Sequence, residues 1–308
     1  MSSEFNHVFR SQVRLLLEVL PIVMQSEIFA LKGGTALNLF VRDLPRLSVD
    51  IDLTYLPLKP RAEMLIEMNY ALSEIAANIQ RAIPHSTVRP NKPFNSGKEV
   101  KLIVELDGYT VKIEPNYILR GCVFPPIEMP LSKKCEEHFK VSFTSRLISF
   151  EDLYAGKMCA ALDRQHPRDL FDIYFLLENE GVTDKVRQTF LVYLMSHNRP
   201  MTELLNPNWH DITKTYNSEF LGMSEVLLTT QELKSAGERL IHTIKNGLTN
   251  HERNFLITFK RGVQDWNDFF NPDVQNFPGI IWKQRNLEKM NFKKREEAVR
   301  RLEEILLY

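Results

Sequence analysis

Residues 31–55 read LKGGTALNLFVRDLPRLSVDIDLTY, and their last eight alternate strictly between polar and apolar side chains. Alternation of period two specifies a strand with one buried and one open face. Ser48, Asp50, Asp52 and Thr54 share one face, and Val49, Ile51, Leu53 and Tyr55 share the other. Two carboxylates side by side are costly unless a cation lies between them. An oxygen-only pair without Cys or His suits Mg²⁺ or Mn²⁺. Ahead of the strand, Gly33 and Gly34 permit positive φ and close approach of a ligand, and Thr35 is placed to cap a following helix. N–H groups at such a turn bind phosphate. A surface turn followed by an edge strand with solvated acids would read the same way, so the decision rests on the rest of the chain.

At 308 residues the chain is long enough for two domains, and 39 basic residues balance 39 acidic ones. That balance excludes a histone-like binder that relies on a global positive field. Three cysteines (Cys122, Cys135, Cys159) without a CxxC pair give neither a disulfide framework nor a zinc site. The first twenty residues have no basic region leading into a long apolar run, and no stretch has the length of a membrane span, so a cytoplasmic protein with no membrane partner is expected.

Residues 4–29 carry a helical stripe (Phe9, Val13, Leu16, Leu17, Leu20) that Pro21 is expected to break or kink. A second stripe over 61–83 is explained by core packing. VKLIVEL (100–106) and YTVKIEPN (109–116) flank Asp107-Gly108, which predicts a tight hairpin. Glu114 becomes a third oxygen ligand if its strand lies beside that of Asp50 and Asp52; otherwise it is an exposed strand residue. Pro125, Pro126 and Pro130 mark 122–143 as a connecting segment without regular structure.

A second cluster, SFEDLYAGKMCAALDRQHPRDLFDIYFLL, covers 149–177. Ser149 and Asp152 read as a capping box for a helix to about Arg164, and Pro167 as the start of the next. Arg168 and Asp172 are spaced for an i, i+4 pair. Capping and surface ion pairs explain these residues; alternatively Lys157 and a carboxylate serve a triphosphate. Residues 180–220 show little periodicity. The remainder reads as mostly helical, ending in a basic tail (Lys283, Arg285, Lys289, Lys293, Lys294, Arg295, Arg300, Arg301) interleaved with Trp282 and Phe292. That tail suits an RNA backbone with base stacking, or a solvated amphipathic helix.

Taken together, LKGGTAL with SVDIDL, KIEPN, DLYAGK (152–157) and RDLFD (168–172), with a weaker echo in WKQRNLEKM (282–290), resemble the AbiEii/AbiGii abortive-infection toxins. These form a branch of the polymerase-β-like nucleotidyltransferase superfamily that also holds the mycobacterial MenT toxins. The wider superfamily writes the first turn as Gly-Ser, whereas this chain has Gly-Gly-Thr. The resemblance implies an α+β fold: a small mixed-sheet nucleotidyltransferase core flanked by helices over 1–145, then a mostly helical domain over 146–308. It implies a Mg²⁺-dependent (or Mn²⁺-dependent) toxin that moves a nucleoside monophosphate from an NTP to an acceptor, expected to be the 3′ end of tRNA. Asp50, Asp52, Lys157 and Asp172 would be catalytic. Lys32, Gly33, Gly34, Thr35, Ser48 and Arg168 would bind nucleotide, and Asp50, Asp52 and Glu114 would hold metal. A cognate antitoxin, often a winged-helix DNA-binding protein, is expected from the family. Two other readings share these residues: transfer to a small-molecule or protein hydroxyl, and a non-catalytic nucleotide- or partner-binding module.

Overall fold

The computed structural model describes residues 5–307. The chain forms two compact units, one of residues 1–149 with 220–227, the other of 150–219 with 228–308.

The first unit is built on a seven-stranded sheet in the order β3-β4-β5-β2-β1-β7-β6. The strands are β1 (Phe29–Lys32), β2 (Asp50–Tyr55), β3 (Thr87–Pro90), β4 (Leu102–Leu106), β5 (Tyr109–Asn116), β6 (Ile127–Pro130) and β7 (Thr144–Leu147). β2 runs parallel to β5, and β1 parallel to β7; the other neighbours are antiparallel, so the sheet is mixed. One face is apolar: Val88, Leu102, Val104, Val111, Ile113, Ile51, Leu53, Leu31 and Leu147 are all buried. Helix α1 (His7–Val23) packs on β5 and β2, and meets the helix over Arg61–Ala82. The register that buries this row places Asp50 and Asp52 on the opposite face, since one step along a strand reverses the side chain.

Several expectations hold and several need correction. The hairpin turns at Asp107 and Gly108, both at positive φ (51° and 81°) as a primed two-residue turn requires. Pro21 does not break α1; it sits inside the last turn. The helical pattern expected from Glu4 begins at His7 among the described residues, and Glu4 lies outside them. Segment 122–143 is not irregular: it holds β6 and a short helix, Lys133–Phe139. Pro130 is tolerated because β6 is an edge strand, where a missing N–H breaks no ladder.

The second unit is helical. Its main elements are α2 (Phe150–Arg164), α3 (Pro167–Glu178), α4 (Asp184–Ser196), α5 (Thr213–Glu219), α6 (Thr230–Gly247), α7 (Asn250–Arg261), α8 (Pro278–Glu288) and α9 (Phe292–Leu307). Thr229 with Glu232 and Thr249 with Glu252 form complete capping boxes that fix where α6 and α7 begin. The stretch 180–220 contains α4, whose Val186 and residues 189–196 are buried on all sides. A helix buried all round shows no amphipathic period, which is why the sequence pattern does not reveal it. Lys283, counted above in the basic tail, is buried instead. Its Nζ donates to the carbonyls of His197 (2.7 Å) and Arg199 (2.9 Å) just past the C-terminus of α4, where a cation is favoured. Burial pushes its ammonium down to about 8, with Lys260 adding to the effect. Among the described residues no helix is long and apolar enough to cross a membrane.

Candidate active site

The predicted site residues fall in both units, and each group has its own geometry. In the first unit the chain leaves β1 at Lys32, turns through Gly33 at φ +74°, and enters a short helix, Gly33–Ala36, that continues as a π-helical turn over Leu37–Val41. π-turns are often found at functional sites. The turn lies directly on the acidic strand: a Cβ on Gly33 would come within 2.3 Å of Asp52 Oδ2. Gly34 is needed for space rather than for φ, since a Cβ there would meet Arg46 Nη2 at 2.7 Å and Ser48 Oγ at 2.8 Å. The Gly33→Ala variant therefore combines left-handed strain with a clash. It should lose about 1–2 kcal/mol of stability and most of the transfer activity, read by a urea melt and a transfer assay. Wild-type activity in that variant would mean the turn does not need to lie against Asp52.

Thr35 does not cap this helix. Lys32 is the N-cap residue and supplies no side-chain capping bond, while Thr35 is fully buried inside the first turn. Its hydroxyl donates to the Asp50 carbonyl (2.5 Å) and lies 3.1 Å from Ser48 Oγ. Both hydroxyls expected at the nucleotide thus tie the glycine turn to the start of β2. Arg46, which the sequence reading passed over, is fully buried and donates to the Leu47 carbonyl (2.8 Å). Its guanidinium fills the space beside Gly34. Nothing local marks it out, because Arg46 stands among Arg42, Asp43, Asp50 and Asp52 and its burial depends on the fold.

On the open face, register aligns Lys32 with Asp52, and Asp52 with Glu114; Asp50 aligns with Lys112. Paired positions bring Cβ atoms to about 5 Å, so Asp52 and Glu114 are lateral neighbours, as the sequence required of a third acid. Glu114 itself ion-pairs with Lys101 Nζ at 2.6 Å. Among the described residues no three His, Cys, Asp or Glu side chains are gathered to hold a metal ion. Glu114 thus stands beside Asp52 with Lys101 as its present partner. The donor chemistry nevertheless fits a hard divalent cation, because Asp50 and Asp52 are half-buried oxygen donors on one strand face, next to a turn with no side chain on Gly33.

In the second unit, Lys157 on α2 places Nζ 2.8 Å from Asp169 Oδ1 and 3.0 Å from Asp172 Oδ2 on α3. Arg164 closes on Asp169 with Nε–Oδ2 at 2.6 Å and Nη2–Oδ1 at 3.1 Å. Asp169 is fully buried and was not among the predicted site residues. Burial works to raise its carboxyl, but Lys157 and Arg164 hold it well below the usual carboxylate range. Asp152 and Gly156 have a packing role. Asp152 accepts from Tyr193 Oη of α4 (3.0 Å), and a Cβ on Gly156 would come 3.3 Å from the same ring. Arg168 Nη2 lies 3.6 Å from Glu219 on α5. His166 Nδ1 accepts from the Arg168 N–H, which caps α3 and leaves Nε2 to donate to Glu219 (3.0 Å).

The sequence profile described as "Nucleotidyl transferase AbiEii toxin, Type IV TA system" matches residues 14–277. The chain belongs to the AbiEii family of nucleotidyltransferase toxins. As a member of that family it is a toxin nucleotidyltransferase of a type IV toxin–antitoxin system, which implies an NTP substrate and an antitoxin. Among solved structures its fold is similar to MenT4, a nucleotidyltransferase toxin from Mycobacterium tuberculosis H37Rv. The two share 13% identity at a TM-score of 0.61, over 96% of this chain and 93% of that one. At that identity the likeness bears on the fold alone. No curated protein matches the AbiEii-family chain in sequence.

Proposed function

We propose that this AbiEii-family toxin transfers a nucleoside monophosphate from an NTP to the 3′ hydroxyl of tRNA, with Asp50 and Asp52 as the metal-holding pair. The observation that supports this most is the fit of the Gly33 turn against Asp52, which puts backbone N–H donors beside the acidic strand. Backbone donors at such a turn bind and orient the triphosphate. Asp50 and Asp52 would hold Mg²⁺ or Mn²⁺, with Glu114 as the third acid. When bound, such a cation offsets phosphate charge and lowers the pKa of an attacking hydroxyl. In the transfer the acceptor oxygen bonds to the α-phosphorus, the bond to the β-phosphate breaks, and pyrophosphate leaves. Thr35, Ser48 and Arg46 act by holding the turn in place. For Lys157, Asp172 and Arg168 we propose nucleotide handling; Lys157 has a third ammonium proton beyond the two directed at Asp169 and Asp172.

A tRNA blocked at its 3′ end could not be aminoacylated, which would account for toxicity in the cytoplasm, where NTPs and tRNA meet. The antitoxin we expect is a winged-helix DNA-binding protein. The test is incubation of the chain with deacylated tRNA and each α-labelled NTP in Mg²⁺. Labelled tRNA and released pyrophosphate are expected. Label on a small molecule or protein with none on tRNA would replace the acceptor, and no transfer to any acceptor would sink the proposal.

A further inference from the structure

Helix α8 has two contrasting faces. Ile280, Lys283 and Leu287, spaced i, i+3, i+7, are buried, whereas Trp282, Arg285, Asn286 and Lys289 line the opposite side and are exposed. One turn of chain later, Phe292, Lys293 and Lys294 open α9, all exposed. Trp282 is 48% and Phe292 69% accessible, so neither ring contributes much to the core. The chain as a whole is neutral, yet between residues 282 and 294 five basic residues face the single acid Glu288, and four of the five are exposed. Other exposed arginines of this unit are paired: Arg239 with Glu178, and Arg261 with Glu303. Among the described residues Arg285, Lys289, Lys293 and Lys294 have no ion-pair partner. Lys293 and Lys294 also sit in the first turn of α9, which has no acidic residue and where the helix dipole disfavours cations. Folding does not call for this combination of bare rings and unpaired cations.

We propose that the surface running from Trp282 to Lys294 binds an RNA strand with unpaired bases, and that it docks the acceptor RNA. Arg285, Lys289, Lys293 and Lys294 would contact phosphates, while Trp282 and Phe292 offer faces on which bases stack. Two exposed rings interleaved with four cations match the alternation of bases and phosphates along a single strand more closely than they match a carboxylate-rich protein surface. The inference rests on the RNA-acceptor reading above and adds a location to it.

The experiment uses the full-length chain and 5′-fluorescein-labelled deacylated tRNA, with anisotropy followed across a KCl series. Joint Trp282→Ala and Phe292→Ala substitution should weaken binding roughly tenfold or more, since each stacked base contributes strongly. Joint Lys289→Gln, Lys293→Gln and Lys294→Gln substitution should flatten the slope of log K against log salt by about 2, at about 0.7 per contact to a single strand. All five positions are exposed, so thermal melts should match wild type. Unchanged affinity and slope in both variants would overturn the proposal while leaving the acceptor reading intact if tRNA is still extended. Binding that responds to the variants, in a chain that adds no nucleotide to tRNA, would keep the surface as an RNA site, remove tRNA as acceptor and overturn the docking role. A wild-type chain that binds no tRNA would overturn the proposal.

Discussion

Asp50→Asn and Asp52→Asn, each made alone, are expected to lower nucleotide transfer by about a hundredfold or more while leaving the melting transition close to that of wild type. A metal-bound carboxylate supports several kcal/mol of charge stabilisation in the transition state, and each ~1.4 kcal/mol lost is tenfold in rate. Asparagine keeps the shape and removes the charge. The fold should tolerate it because the core on β2 is made by Ile51, Leu53 and Tyr55, all fully buried, while the two aspartates lie on the opposite face. Single-turnover transfer from an α-labelled NTP, with urea melts on the same preparations, measures both quantities. Growth of cells expressing each variant at matched levels gives the biological counterpart: wild type should arrest growth and the variants should not. Full transfer activity in both variants would remove this strand from the catalytic centre.

The parts of this molecule legible in the sequence are those governed by local periodicity. The alternation in SVDIDLTY gave the strand, its faces and the placement of both aspartates. Asp107-Gly108 gave the hairpin, and the pairing of β5 beside β2 turned Glu114 into a lateral neighbour of Asp52. What stayed hidden depends on contacts between residues distant in sequence. Helix α4 is buried all round and has no polar face to set a period. Thr35 looked like a cap because it follows two glycines, but its hydroxyl is drawn to the Asp50 carbonyl fifteen residues away. Lys283 belongs to the basic tail by composition, but its ammonium is held by the carbonyls of His197 and Arg199 beyond the end of α4. The motif DLYAGK combined two kinds of signal. Asp152 accepts from Tyr193 and Gly156 leaves room for the same ring, whereas Lys157 joins an ionic centre. Asp169 and Asp172 stand at i, i+3, and that spacing alone does not show that Asp169 is the most buried charge in the centre.

Asp169→Ala is expected to destabilise the second unit by about 3–5 kcal/mol, the usual cost of breaking a buried ion pair by removing one partner. The substitution leaves Lys157 buried against Asp172 without Asp169, and removes the two short contacts of Arg164 to Asp169. Arg164→Ala should cost far less, about 0–1 kcal/mol, because that side chain is 63% exposed and water replaces it. The pH dependence has a definite sign. The Asp169 carboxyl is held well below its unfolded value by Lys157 and Arg164. Its contribution is therefore fully present above the ordinary aspartate pKa of about 3.9 and is lost as pH falls below it. Asp169→Asn cannot lose what it no longer has, so the gap in stability between wild type and this variant should narrow on going from pH 7 and pH 5 to pH 3. Urea melts at those three pH values measure the gap directly. A gap that stays constant, or an Asp169→Ala chain within about 1 kcal/mol of wild type, would mean that the Lys157 centre is not what holds α2 to α3.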